Sequence, residues 1–215
     1  MQNESIRQSL DKMTTVLDRL DLQAVRAAVA TLVDVERAGG TVYTFGNGGS
    51  AATASHMAVD MSRRLRQASG RRIRVIALND SVPWTTAVAN DDSYAEVFAE
   101  PLRTFLRDDD LVLGISASGN SPNMVRAFEV ASSLDVPRLA LVGFTGGRLS
   151  ELATQRIWVD SDDYGIVESA HVFIAHLLVD GLAEAHAERG VGMTAERLSS
   201  TRPIAGRSMA PQYIQ

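Results

Sequence analysis

The chain is predicted to adopt an α/β fold, a parallel sheet with helices on both faces. Short apolar runs of strand length alternate with stretches of helical spacing along most of the 215 residues. Such alternation favours parallel strands joined by crossover helices. Two of the strands run into small-residue turns that open helices, Gly46-Asn-Gly-Gly-Ser50 and Gly114-Ile-Ser-Ala-Ser-Gly-Asn-Ser-Pro-Asn123. A strand, a turn rich in glycine or serine and a helix N-terminus is the arrangement with which doubly wound sheets hold ligands.

Ile6, Leu10, Met13, Val16, Leu17 and Leu20 fall near helical period in the first segment. Asp21 can cap a second helix carrying Val25, Ala28, Val29, Leu32, Val33 and Val35, which Gly39-Gly40 stops. Both helices precede the first strand, so they form an N-terminal hairpin, suited either to a partner subunit or to covering its own domain. Thr41–Phe45 is the first buried strand, and the glycine turn leads to a helix starting Ala51-Ala-Thr-Ala54. Arg74–Leu78 is the second strand, followed by a loop from Asn79 to Pro83 and then Trp84–Asp91. Tyr94–Leu106 has helical spacing. The third strand, Asp110-Leu-Val-Leu113, runs into the serine turn, and the helix beyond it has Met124 in its first turn. Pro137–Val142 is the fourth strand, Gly143–Gly147 its turn, and Arg156–Val159 a short fifth strand. A polar loop, Asp160–Gly165, precedes a long apolar helix from about Ile166 to Ala187. Residues 1–187 make one domain. Residues 188–215 carry Gly190, Gly192, Pro203, Gly206 and Pro211 without clear period, and read as an extended or partly disordered arm.

Composition narrows the function. Hydrophobic residues make up 45% and charged residues 22%, as in ordinary globular chains. No apolar run is expected to span a membrane, and Met1-Gln-Asn-Glu-Ser-Ile-Arg7 lacks the pattern of a signal peptide. There is no cysteine, which excludes disulfides, thiolate metal sites and thiol nucleophiles and fits a cytoplasmic protein. A net charge of −5 with no basic stripe argues against nucleic acid as a direct ligand. Lys12 is the only lysine and lies in a helical segment, so Schiff-base chemistry is not expected.

In the serine turn, Ser116, Ser118 and Ser121 stand with Gly119 and Asn120 at a helix N-terminus. Unpaired backbone N–H groups, the positive end of the helix dipole and hydroxyl donors without bulk suit a phosphate monoester. The glycine turn is not a dinucleotide fingerprint, because position 51 is Ala and no acidic residue ends the second strand; with no lysine after it, it is not a P-loop either. His56 and Asp60, four residues apart, share one helix face near that ligand edge, as an ion pair, an acid/base pair or two ligands of one ion. On the last helix, His171 and His176 are about 140° apart around the axis and cannot both face one site. Glu168 and His176, eight residues apart, can just share an ion if both side chains reach; otherwise Glu168 precedes the regular helix or the two come from different subunits. His186 is expected at the surface.

Gly46-Asn-Gly-Gly-Ser-Ala-Ala52 with His56, Ile115-Ser-Ala-Ser-Gly-Asn-Ser-Pro-Asn123, and Glu168-Ser-Ala-His171 with His176 resemble the sugar isomerase (SIS) domain family. Within it the chain is similar to the sedoheptulose-7-phosphate, or phosphoheptose, isomerases over roughly residues 4–187. The resemblance implies a three-layer α/β/α sandwich with a five-stranded parallel sheet, assembled as a homotetramer. It implies that Ser116, Ser118 and Ser121, with Ala117, hold the sugar phosphate. Asn47, Gly48, Gly49 and Ser50, with Asn90, Asp91 and Glu168, would line the sugar site. The family's Zn²⁺ ligands fall on His56, Asp60, Glu168 and His176. Those isomerases carry a glutamate, both ligand and base, where this chain has Asp60, and a glutamine ligand where it has Glu168. Asp60 is shorter by one C–C bond, about 1.5 Å, and Glu168 adds a negative charge; two carboxylates and two imidazoles still suit zinc.

The expected chemistry is an aldose–ketose isomerisation through an enediol, turning sedoheptulose 7-phosphate into D-glycero-D-manno-heptose 7-phosphate. Asp60 is the expected base and His176 the acid, with Glu168 an alternative base. The competing readings are a sugar-phosphate-binding or regulatory SIS protein without catalysis, and an isomerase of another phosphosugar.

Overall fold

The structure, a computed structural model, describes residues 3–200, and side chains from 4 to 187. Five strands, β1 (Thr41–Gly46), β2 (Arg74–Ala77), β3 (Leu111–Ser116), β4 (Arg138–Val142) and β5 (Gln155–Trp158), form one sheet in the order β2-β1-β3-β4-β5. Every pairing is parallel. The chain winds from β1 outward to β2, then returns to β3 on the other side. The crevice at the carboxyl ends of β1 and β3 is therefore the switch point where such sheets bind ligands. The glycine and serine turns leave those two strands, whose ends pair Gly46 with Ile115.

Eight helices among the described residues complete the layers: α1 (Asn3–Asp18), α2 (Leu22–Ala38), α3 (Gly49–Ser69), α4 (Val82–Asp91), α5 (Ala99–Phe105), α6 (Pro122–Ser133), α7 (Gly147–Leu152) and α8 (Tyr164–Ser200). Side-chain alternation along the strands divides the core in two. Leu113, Ile115, Leu141 and Ile157 pack with α2, α3 and α8 on one face. Phe45, Val112, Ala140 and Val142 pack with helices α4 to α7 on the other. Asp21 caps α2 as expected, accepting from the backbone N–H groups of Gln23 and Ala24. Asp110, last of the run Asp108-Asp-Asp110, is buried and staples the sheet: its carboxylate accepts from Thr41 N at 2.7 Å and Arg107 N at 2.8 Å.

Three local expectations change. Residues 82–91 are helical, and Tyr94–Leu106 is not one helix but a 3₁₀ turn (Tyr94–Glu96) followed by α5. Pro101 explains the break, because a proline is tolerated in the first turn of a helix but not in its interior. Helix α8 runs to Ser200, beyond the expected end at Ala187; the rest of the expected arm, 201–215, lies outside the described residues. One segment, Tyr164–Ala187, is long and apolar enough to cross a membrane by length and composition alone, with a mean hydropathy of 1.5 over its most apolar window. Its apolarity has another cause: Val167, Ala170, Ile174, Leu178 and Leu182 lie fully buried against α2, α3 and the sheet.

Candidate functional site

Helices α3 and α8 both start at the carboxyl edge of the sheet and run side by side in the same direction. Their seam carries polar side chains at successive levels. At the top, the Glu168 carboxylate occupies the space a side chain at Gly49 would need: a Cβ there would lie 2.6 Å from Oε2. That places the half-buried carboxylate against the first turn of α3, where unpaired N–H groups and the helix dipole favour an anion. Lower down, His56 Nε2 is 3.2 Å and His176 Nδ1 is 3.7 Å from the same Asp60 Oδ2. The two imidazole rings meet edge to face, with centroids 5.1 Å apart. One ligand atom from each of His56, Asp60 and His176 lies within 4.8 Å of the others. Below them, Arg64 Nε donates to Asp180 Oδ1 at 3.1 Å.

Three of the four expected metal ligands are thus brought together. Glu168, level with Gly49, is not part of that group. Two nitrogens and one carboxylate oxygen are the donor types of a catalytic zinc site with an open position. All three side chains are partly exposed, at 51%, 33% and 47%, so an ion and a substrate have access.

At the carboxyl edge of the sheet the serine turn folds into a tight loop. Ser116 is buried, and its Oγ accepts from Gly119 N at 3.1 Å, which curls the loop. Gly119 has φ +66°, and a Cβ there would lie 2.0 Å from the Gly146 carbonyl, so only glycine allows this approach. Ala117 is buried, while Ser118 and Ser121 remain partly exposed at the start of α6. Ser121 flanks α6 without a side-chain capping bond. Asn90 and Asp91 end α4, both exposed, with Asn90 Nδ2 donating to Asp91 Oδ1 at 2.8 Å. Ser50, in the first turn of α3, is buried.

Some residues of this edge went unnoticed in the sequence. Asn79 forms a reciprocal pair with the Gly46 backbone, accepting from its N–H at 3.2 Å and donating to its carbonyl at 2.7 Å. Asn123 pairs with Asn47, and Tyr94 donates to Asn47 Oδ1 at 3.2 Å. Glu96, two residues beyond Tyr94, is held by Arg126 at 2.9 Å and Arg103 at 2.7 Å, and these guanidinium groups keep its carboxyl below the usual carboxylate range. Turn residues of this kind carry no period, and their partners lie on other elements.

His171 and His176 face apart as expected. His171 is buried under the sheet face, where desolvation lowers its pKa to about 4. His186 corrects the expectation of a surface residue: it is 6% exposed, with Nε2 at 3.3 Å from Glu36 Oε2, because α8 continues and α2 covers it.

A family model described as SIS domain matches residues 6–143. The chain belongs to the SIS-domain family. Among its relatives, phosphoheptose isomerase from Mycobacterium bovis is 38% identical over 171 residues, spanning 78% of this chain and 85% of that protein. Phosphoheptose isomerase from Helicobacter pylori is 34% identical over 158 residues, 74% of this chain and 82% of that one. In structure, a phosphoheptose isomerase from Francisella tularensis superposes with a TM-score of 0.77 at 28% identity, covering 85% of this chain and 96% of the other. The five-stranded parallel sheet with a helical N-terminal hairpin is the SIS fold, as the resemblance implied.

Proposed function

We propose that this SIS-domain chain interconverts sedoheptulose 7-phosphate and D-glycero-D-manno-heptose 7-phosphate through an enediol. Family membership carries the coarser half: the chain is a phosphosugar isomerase. The observation that supports the finer half is the convergence of His56, Asp60 and His176 on one open point of the seam between α3 and α8. We assign Zn²⁺ to these three side chains and Glu168 to the sugar. When bound, zinc supplies a Lewis acid that polarises a carbonyl oxygen.

The residues divide the remaining work. Ser116, Ser118 and Ser121 bind the phosphate through hydroxyls and helix N–H groups, and this remote grip positions the sugar carbons. Asp60 takes a proton from C1 of the ketose while His176 gives one to O2, forming the enediol. The enediol then gives its O1 proton back to His176 and takes the proton held on Asp60 at C2, leaving an aldehyde at C1 and both side chains as they began. Atoms and charge balance, and no oxidant is consumed.

Distance supports a homo-oligomer, which we propose to be a tetramer. Asp60 follows Gly49 by eleven residues, about 16 Å along α3. A seven-carbon sugar phosphate spans roughly 10 Å from C1 to phosphorus with C–C bonds of about 1.5 Å. Because the sugar is shorter than this rise, we propose that one site draws its serine loop and its Asp60 from two copies. Exposed Val59 on α3 and Val172 and Phe173 on α8 flank the seam and offer apolar surface for a second copy. We place the protein in the cytoplasm, in keeping with its cysteine-free composition.

The test is proton exchange at C1 in D₂O across a panel of ketose phosphates, with metal content measured on the same samples. Exchange that is lost on chelation and returns with zinc is expected. If no sugar phosphate exchanges its C1 proton, the chain binds sugar phosphates without isomerising them.

A further inference from the structure

We propose that Asn123 is a positioning residue that orients Asn47 to offer one N–H donor to the ligand and withholds its carbonyl. The inference rests on the glycine and serine loops forming the sugar-phosphate site. Its starting point is the Met124 backbone N–H, 3.0 Å from Asn123 Oδ1. A backbone nitrogen can only donate, so the amide atom facing it is oxygen. That fixes the Asn123 side chain, which then fixes Asn47. Asn123 Nδ2 donates to Asn47 Oδ1 at 2.8 Å, and Asn47 Nδ2 donates back to Asn123 Oδ1 at 3.0 Å. Tyr94 adds a second donor to Asn47 Oδ1.

An amide oxygen accepts two hydrogen bonds and an amide nitrogen donates two. Asn47 Oδ1 has both of its bonds, and Asn47 Nδ2 has one. The single hydrogen-bonding group left is an N–H. Asn47 is partly exposed at the switch point, whereas Asn123 is 2% exposed and acts on a ligand only through Asn47. The ligand atom at this position must therefore accept: a phosphate, hydroxyl or carbonyl oxygen of the sugar phosphate. The pair also ties the glycine loop after β1 to the first turn of α6, so the phosphate end and the sugar end of the site are set by one amide–amide contact.

The experiment is a double-variant cycle with Asn47→Ala, Asn123→Ala and the two combined. It reads kcat/KM for sedoheptulose 7-phosphate and, separately, the calorimetric affinity for that sugar phosphate. Each single variant is expected to lose about tenfold, the worth of one hydrogen bond to a polar ligand. The combined variant is expected to lose no more than either alone, because Asn123 works only through Asn47. Independent roles would multiply to about a hundredfold, and that result overturns the proposal, as does an Asn123→Ala variant with unchanged affinity. If Asn123→Ala does not fold, Asn123→Asp replaces it in the cycle. Its carboxylate still accepts from Met124 N–H and Asn47 N–H and so keeps the Asn47 N–H groups in place; it is expected to lose less affinity than Asn47→Ala, and a loss as large as that of Asn47→Ala overturns the proposal. A protein that binds the sugar phosphate without turning it over refutes the isomerase reading and leaves the affinity cycle to decide this one; a protein that does neither refutes both.

Discussion

His171 gives the most quantitative test of the packing under the ligand edge. Its ring is 1% exposed, and neither nitrogen has a well-formed hydrogen bond. Burial lowers its pKa from 6.5 to about 4, and the nearby Val142 carbonyl offsets only part of that. The folded state therefore holds the imidazole neutral while the unfolded chain takes up a proton below pH 6.5. Since the unfolded state binds more protons, stability falls as the solution is acidified from 6.5 towards 4. Linkage puts the loss at about 1.4 kcal/mol at pH 5.5 and about 2.5 kcal/mol at pH 4.5. The perturbation is His171→Leu, which removes the titrating group and two unpaired buried nitrogens, and so is expected to be neutral or stabilising at pH 7. Urea unfolding of both proteins at pH 7, 5.5 and 4.5 isolates the effect, because contributions from His56, His176 and the carboxylates cancel in the difference. The variant is expected to gain on the wild type by these amounts as pH falls. A difference that stays constant across this range would mean that His171 is not buried in its neutral form.

Removing the serine hydroxyls tests the phosphate loop: Ser118→Ala or Ser121→Ala is expected to raise KM for a sugar phosphate about tenfold, and equal KM values would refute the assignment. Asp60→Asn is expected to lower kcat by several orders of magnitude and to reduce bound zinc, whereas Asp60→Glu should keep measurable activity; a fully active Asp60→Asn variant removes Asp60 as base. Gly49→Ala should leave the melting temperature nearly unchanged, because the new Cβ meets only the flexible end of Glu168, yet it should weaken sugar binding by displacing that carboxylate. Sedimentation at micromolar concentration is expected to show an oligomer, and a monomer with full activity would contradict a site shared between copies.

Much of this molecule is legible in its sequence because strand and helix patterns, caps and tight turns depend on near neighbours. The alternation of elements, the two small-residue turns and the His56–Asp60 pair all follow from spacings of a few residues. Boundaries shift where a single residue such as Pro101 overrules a period, where the expected loop before Trp84 turns helical from Val82, and where α8 continues through a stretch with no clear pattern. The tertiary structure decided the rest. It set α3 beside α8 in parallel, and so brought His176 to Asp60 and Glu168 to Gly49. It also buried His186 beside Glu36 and joined Asn47 to Asn123. These pairings depend on how side chains of two helices interlock over a shared sheet face, a sum over many contacts between residues distant in the chain, and no local period encodes which of those contacts form.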